Sequence, residues 1–351
     1  MTADWLNTPA AELNTDAQAA AQARQGILTK PPGALGELET VAIKLAAMQG
    51  LEKPKMDNIH ISVFAGDHGV ATLGVSAFPQ TVTTEMVKNF AHGGAAISVM
   101  SKSLDAKLEV VNLGTVNDPG ALPNVIDQRI APSTSDFTSA PAMTEEQFYQ
   151  ALNIGRQSAE RAASNQCDLF IGGEMGIGNT TSATAIASAL LNQPAENIVG
   201  PGTGVNSEGL SRKRQVINAG LKQHESILNN PVEVLRCLGG FEIAALTGAY
   251  LACANMGKPV LIDGFISSVA ALCASKINEN ASNWFLYSHN SAEPGHKHIL
   301  TALNAKPLLD LGMRLGEGSG AAVAATLLKA ACDLHANMAT FAEAGVSEKD
   351  D

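Results

Sequence analysis

Aromatic side chains are scarce in this chain. Phe, Trp and Tyr make up 4% of its 351 residues, against a hydrophobic fraction of 45%. Alanine and glycine fill the gap, and small residues suit close helix–sheet packing and tight backbone turns. Basic charge is also short: 23 Lys and Arg stand against 34 Asp and Glu, leaving a net charge of −11. With no basic patch interleaved with aromatics, a nucleic-acid surface is excluded as an expectation. An anionic small molecule would have to be held locally, by backbone N–H groups and one or two lysines. The five cysteines form no CxxC pair and mostly sit in apolar stretches, so they read as reduced core residues. No apolar run reaches membrane-spanning length, and the N-terminus lacks a basic segment followed by an apolar one. The expectation is a cytoplasmic protein with no membrane partner.

The length allows one large α/β domain or two domains with a sizeable core. Short apolar runs rich in β-branched residues occur at 60–65 (HISVFA), 108–113 (LEVVNL), 168–171 (DLFI), 259–262 (PVLI) and 284–287 (WFLY). They lack clean alternation, as strands buried on both faces should. Helical patterns lie between them, at 80–103, 145–164, 181–191, 208–229, 241–256 and 267–277. This βαβα order predicts a parallel, doubly wound sheet. Residues 1–50 and 293–340 show helices and turns but no strand. The expected division is a small helical domain from both chain ends (1–55 and 293–351) and a large α/β nucleotide-binding domain (56–292).

Several strands end in glycine-containing turns, where ligands of open α/β sheets bind. The most informative is GGEMGIGNTTS, residues 172–182. It follows an apolar strand and opens a helix, so Gly176, Ile177, Gly178, Asn179 and Thr180 form either a phosphate cradle or a tight capped turn. It is neither a Walker A loop nor GxGxxG, which counts against a dinucleotide-dependent oxidoreductase. A second turn, GPGTG at 200–204, places Gly202 and Gly204 before a helix carrying Lys213. That lysine is a phosphate ligand or a solvated charge beside Arg212 and Arg214.

Asp67 and His68, in AGDHGV, stand at the end of another strand as acid/base groups, metal ligands or turn-bracing residues. A metal would need more ligands, and the spacing to His289, His296 and His298 fits no zinc pattern. Asp263 ends PVLI, to orient a substrate or cap a helix. Ser291 lies in SHNSAEPG, a capping loop with possible ligand contact. Near the C-terminus, RLGEGSG places Glu317 between two glycines before a helix of small residues. Glu317 is a helix-starting acid or a catalytic base. GEGSG is not the nucleophile elbow of a hydrolase, because its serine is misplaced.

Taken together, LTKPPGALGELE, GDHGV, GGEMGIGNTTSA, the GTG turn with Lys213, GGFEIAALTGA, IDGF, SHNSAE and RLGEGSGAA resemble the nicotinate-nucleotide–dimethylbenzimidazole phosphoribosyltransferase family. The resemblance runs from about Leu28 to Met338. It implies a Rossmann-like parallel sheet flanked by helices, a small helical domain from both termini, and a homodimer. It further implies transfer of 5-phosphoribose from nicotinate mononucleotide to 5,6-dimethylbenzimidazole, giving α-ribazole 5′-phosphate and nicotinate, in assembly of the lower nucleotide of cobalamin. By its motif the family's catalytic base corresponds to Glu317. Glu174, in the glycine loop, would hold ribose hydroxyls, steady the oxocarbenium charge or brace the loop. One phosphate needs only N–H groups and Lys213, so no cofactor and no metal are expected. Phe78, Met86 and Leu315 are expected to line an apolar slot for the base, with Asp263 and Ser291 beside it. Some family members read Ser–Pro–Lys where this chain has Phe78–Pro79–Gln80, and glutamine at Met86, which leaves related bases open as acceptors.

Overall fold

A computed structural model describes residues 4–347, so the outermost residues of both expected terminal segments lie outside the described part. The described chain opens with α1 (Thr15–Ile27) and α2 (Glu37–Gln49), then enters β1 (Ile59–Gly66). Helices α3 (Thr81–His92) and α4 (Ala96–Ser103) lead to β2 (Lys107–Gly114) and the short β3 (Val125–Asp127). The order continues α5 (Glu145–Ser164), β4 (Leu169–Met175), α6 (Asn179–Leu191), α7 (Ala195–Ile198), α8 (Ser207–Gln223), α9 (Pro231–Leu238) and α10 (Phe241–Asn255). It closes with β5 (Val260–Ile262), α11 (Phe265–Ile277), β6 (Phe285–Tyr287), α12 (His296–Ala302), α13 (Ser319–Asn337) and α14 (Phe341–Ala344).

The six strands form one sheet in the order β3-β2-β1-β4-β5-β6, and every pairing is parallel. This is the 3-2-1-4-5-6 order of doubly wound nucleotide-binding sheets. The chain leaves β1 in one direction and returns on its other side at β4. The topological switch point of the sheet therefore lies between β1 and β4. Every residue of β1 is buried, as are six of the seven in β4, which explains why neither shows alternation.

Small residues set how closely the layers approach. Helix α10 lies across β1, β2 and β4, and α5 packs on α10. At their crossing, a Cβ on Gly155 of α5 would strike the Ala245 carbonyl, and one on Gly248 of α10 would strike the Leu152 carbonyl. The two glycines are reciprocal, so the backbones touch. On the sheet side, a Cβ on Gly172 of β4 would lie 2.7 Å from the hydroxyl of Tyr250, a fully buried α10 side chain.

The two chain ends meet. The Arg24 guanidinium donates to the carbonyls of His335 at 2.7 Å and Ala336 at 2.9 Å, and Leu28 bridges to Thr340. Both ends also reach the centre: the Trp284 indole donates to Ala11 O, and α13 packs against β4, β5, α2 and α4.

Three local expectations need correction. The helix expected over 80–103 is two helices, because Gly93 takes a left-handed φ of 82° and its N–H caps α3 through Asn89 O and Phe90 O. The helix expected over 208–229 stops at Gln223 and continues as a 3-10 turn. Strand β3 and helix α9 were not anticipated: β3 is three partly exposed residues with no apolar run, whereas α9 carries a readable start, Asn230 capping and Pro231 in the first turn.

Reciprocal glycine packing makes a direct prediction. Gly248→Ala should lower the urea unfolding midpoint by the equivalent of about 1–3 kcal/mol, the usual cost of overpacking. Gly26→Ala, in α1 with nothing within 4 Å of the added methyl, should leave the midpoint unchanged or raise it. Equal effects at the two sites would mean that the α5–α10 contact is not limiting.

Candidate active site

Four strands deliver their last residues to one place. Asp67 and His68 follow β1, Glu174 is the last residue but one of β4, Asp263 follows β5, and Ser288 and His289 follow β6. Beyond the β4, β5 and β6 ends lies a cavity of about 540 Å³. Of the residues singled out from the sequence, Phe78, Glu174, Gly176, Ile177, Asn179, Thr180, Gly202, Asp263, Ser291, Leu315 and Glu317 line it. Gly178, Gly204, Lys213 and Met86 do not.

Glu317 sits in a turn of three consecutive left-handed residues, with φ of 87° at Gly316, 66° at Glu317 and 84° at Gly318. Only the middle one carries a side chain, and it is 5% exposed. Its Oε2 is buried without a hydrogen-bond partner. Burial, and then the negative charge of Asp263, push its pKa up to about 7. The backbone approach is equally specific: a Cβ on Gly173 of β4 would strike the Glu317 carbonyl, and one on Gly316 would strike the Glu174 carboxylate. Glycine at both positions lets the turn lie directly on the strand.

The first turn of α13 takes its acid from elsewhere. Asp263 accepts from Gly318 N through Oδ2 at 3.2 Å and from Ala321 N through Oδ1 at 2.7 Å. Both of its oxygens are therefore engaged by backbone, with His289 Nδ1 3.9 Å from Oδ1. Glu317 is not the helix-starting acid; it lies just before that helix and faces the cavity.

Glu174 is 6% exposed, and its Oε2 accepts from the Asn179 amide. Burial pushes its pKa well above the usual carboxylate range, reinforced by the charges of Glu242, Asp263 and Glu317. Helix α6 begins beside it behind Gly178, with φ of 99° and no side-chain cap. That leaves a helix N-terminus at the cavity wall, where an anion is favoured. Lys213 lies behind this wall, 1% exposed. Its Nζ donates to Thr180 Oγ1 at 2.9 Å and Gly200 O at 3.0 Å, tying the start of α6 to the 200–204 turn. Burial lowers its pKa to about 8, opposed by the charge of Glu293.

The apolar side of the cavity is Phe78, Phe265, Ile266 and Leu315. Phe78 is 52% and Leu315 60% exposed, so neither is a core residue. Met86 packs against the core instead, with its sulfur 3.9 Å from the Asn89 amide. Asp67 braces the turn after β1: it accepts from Thr83 Oγ1 at 2.6 Å and Val116 N at 2.9 Å, while burial raises its pKa to about 6. His68 is buried between Ser182 Oγ at 2.9 Å and Glu242 Oε1 at 2.6 Å.

Several lining residues were not anticipated for this cavity, Thr203, Ser267 and Arg314, while His289 and Glu293 come from the SHNSAEPG loop read as a cap with possible ligand contact. Each stands a few residues from a strand end or beside a glycine turn already singled out, and that proximity was the available signal. Arg314 donates to Gly202 O at 3.2 Å, and Thr203 Oγ1 lies 3.1 Å from Ser76 Oγ, so the loops at the cavity mouth hold one another.

The chain is similar to known proteins over nearly its whole length. A family model described as phosphoribosyltransferase matches residues 10–346. Two proteins named nicotinate-nucleotide–dimethylbenzimidazole phosphoribosyltransferase, from Pseudomonas putida strain KT2440 and Pseudomonas aeruginosa strain PAO1, are 54% and 55% identical to this chain. Each matches over 349 residues, 99% of both chains. The crystal structure of the enzyme of the same name from Thermus thermophilus superposes with a TM-score of 0.90 at 43% identity, covering 96% of this chain and all of that one. A second structure, of CobT from the same organism, gives a TM-score of 0.91 at 44% identity, covering 95% of this chain and all of that one. With its sheet order, its cavity and these full-length matches, the chain belongs to the nicotinate-nucleotide–dimethylbenzimidazole phosphoribosyltransferase family.

Proposed function

We propose that this protein transfers the 5-phosphoribosyl group of nicotinate mononucleotide to 5,6-dimethylbenzimidazole, releasing nicotinate and forming α-ribazole 5′-phosphate. The observation that carries the reading is Glu317, a buried carboxyl group with an unpartnered oxygen, beside apolar side chains and across from a helix N-terminus.

The chemistry follows from these groups. Nicotinate departs from a pyridinium nitrogen as a neutral ring, so the leaving group needs little acid help. Positive charge collects on the sugar as the bond breaks, and the Glu317 carboxylate and the carboxyl oxygens of Glu174 oppose it across a desolvated cavity. The benzimidazole attacks from the opposite face, inverting β to α. Attack by one imidazole nitrogen leaves a cation unless the other N–H is removed, and Glu317 takes that proton. A pKa near 7 suits a base that must be ionised at neutral pH yet bind a proton in the transition state. The phosphate lies at the start of α6, with Lys213 behind Thr180 adding charge. Phe78, Phe265 and Leu315 enclose the flat acceptor ring, Ser291 borders it, and holding both substrates supplies proximity. Apolar contacts select for a flat apolar ring, so related lower-ligand bases fit the same slot.

On this reading the two chain ends form one helical unit carrying Glu317 to the large domain, and the enzyme works as a homodimer in the cytoplasm. Five buried free cysteines suit a reducing compartment. Among the described residues no helix is long and apolar enough to cross a membrane.

Two experiments test the site. Glu317→Gln should retain nucleotide binding and lose turnover by about 10²–10⁴-fold, the range for a general base; wild-type turnover would remove Glu317 from that role. Folded Glu317 holds its proton to higher pH than the unfolded chain does, so the wild type loses stability as pH rises from about 4.5 through about 7. Glu317→Gln should accordingly be the more stable protein at pH 8, by on the order of 2–3 kcal/mol, with the difference vanishing below about pH 4.5. The pH profile of kcat/KM should be bell-shaped, with Glu317 needed ionised above about 7 and Lys213 protonated below about 8. Lys213→Met should weaken nicotinate mononucleotide binding more than base binding and flatten the alkaline limb; an unchanged limb would return Lys213 to a packing role.

A further inference from the structure

We propose that Asp263 is the positioning residue for Glu317: from the end of β5 it clamps the first turn of α13 and so fixes the left-handed turn that presents Glu317 to the cavity. This rests on the reading of Glu317 as the base and deepens it.

The turn needs an external restraint. A residue with a Cβ is disfavoured in the left-handed region, and Glu317 has a φ of 66°. Its neighbours Gly316 and Gly318 add freedom rather than restraint. The N-cap of α13, Gly318, offers no side chain. Asp263 supplies the missing cap from 55 and 58 residues away, through Gly318 N and Ala321 N, one on each side of the helix start. Hydrogen bonds to an ionised carboxylate are about twice as strong as neutral ones. Asp263 is itself 2% exposed and has no freedom to follow a moving helix end. Packing completes the clamp, since a Cβ on Gly320 would lie 3.0 Å from Asp263 Oδ1 and would strike the His289 ring.

The origin of the cap matters for mechanism. An acid within α13 would cap the helix equally well, but it would leave the helix end free to move against the sheet. An acid at the end of β5 ties Glu317 to the strand edge where the sugar and the base meet. It also sets the field at Glu317. The ionisable groups that line the cavity with that carboxyl are Glu174 from β4, Asp263 from β5, His289 and Glu293 from the loop after β6, and Arg314 from the loop before α13, with the charge of Glu242 of α10 acting on Glu174. After burial, the charge of Asp263 is the cause that raises the Glu317 pKa.

Asp263→Asn removes the charge and one of the two acceptor oxygens. In the full-length enzyme kcat should fall by about 10–100-fold, the usual effect of losing a supporting hydrogen bond, with KM for nicotinate mononucleotide changing less than about threefold. The acid limb of kcat/KM should move to lower pH. In a Glu317→Gln background the same substitution should cost less than about twofold more, because a residue acting through Glu317 has nothing left to position. Asp263→Ser, which keeps one acceptor, is the second variant, and circular dichroism checks the fold of each. Wild-type kcat with an unmoved limb, or an undiminished loss in the Glu317→Gln background, would overturn the proposal. So would failure of both variants to fold, which would make Asp263 a structural cap alone. Wild-type turnover of Glu317→Gln by itself would instead retire the base reading, and the positioning role with it.

Discussion

The whole arrangement depends on keeping the Glu317 carboxyl group out of water and unpaired. An ionised carboxylate without partners is strongly disfavoured in a protein interior, so the group answers by raising its pKa. Such a group persists only where the surroundings leave it no other position. Here the surroundings are the edge of a parallel sheet buried on both faces, with Gly173 cut back so that the Glu317 carbonyl can rest on β4. The small-residue core serves the same end: backbones in contact at Gly155 and Gly248 leave little slack with which the sheet could yield.

The distribution of charge follows from the same constraint. Glu174, Asp263 and Glu317 gather at the carboxyl ends of neighbouring strands, and among the described residues no Lys or Arg forms an ion pair with any of them. Burial raises the pKa of Glu174, and the charges of Glu242, Asp263 and Glu317 raise it further. A cavity of this kind is poised for a transient cation, and on the proposed reaction the ribosyl carbon provides one. The phosphate of the same substrate requires the opposite sign. Helix α6 and Lys213 furnish it on a separate wall, despite a net charge of −11. One substrate carrying both signs is thereby oriented by the field as well as by contact.

Much of this was legible in the sequence, and the parts that were not share a physical cause. Five strands and most helices follow from unbroken apolar runs and helical spacing, because burial on both faces writes itself into local composition. The Gly–Glu–Gly turn was legible because left-handed backbone demands glycine, and Glu317 stood out as the exception. Strand β3 escaped because a three-residue edge strand buries too little to leave a pattern. The break at Gly93 was written in the Gly93–Gly94 pair, a turn signal that the helical spacing on either side outweighed. Met86 and Phe78 looked alike in sequence and separated in space: Met86 lies on α3 and packs against the core, whereas Phe78 lies in the loop before α3, at the cavity mouth. Asp263 read as a group that orients a substrate or caps the nearest helix; the helix it caps starts more than fifty residues away, and no local spacing encodes that pairing.

Two carboxylates that sit side by side thus acquire different work from their surroundings. Both are buried, and burial pushes the pKa of each upward. Asp263 receives backbone N–H groups and the neighbouring His289, all of which favour its ionised form. Glu317 receives no hydrogen bond at Oε2 and has the charge of Asp263 beside it. The helix N-terminus, which would have stabilised Glu317 as an anion and blunted it as a base, is occupied by Asp263. A glutamate placed one turn later would have capped α13 and lost the basicity that the proposed reaction requires. Placing it just before the helix, on left-handed backbone that only flanking glycines permit, separates the acid that holds the structure from the acid that handles the proton.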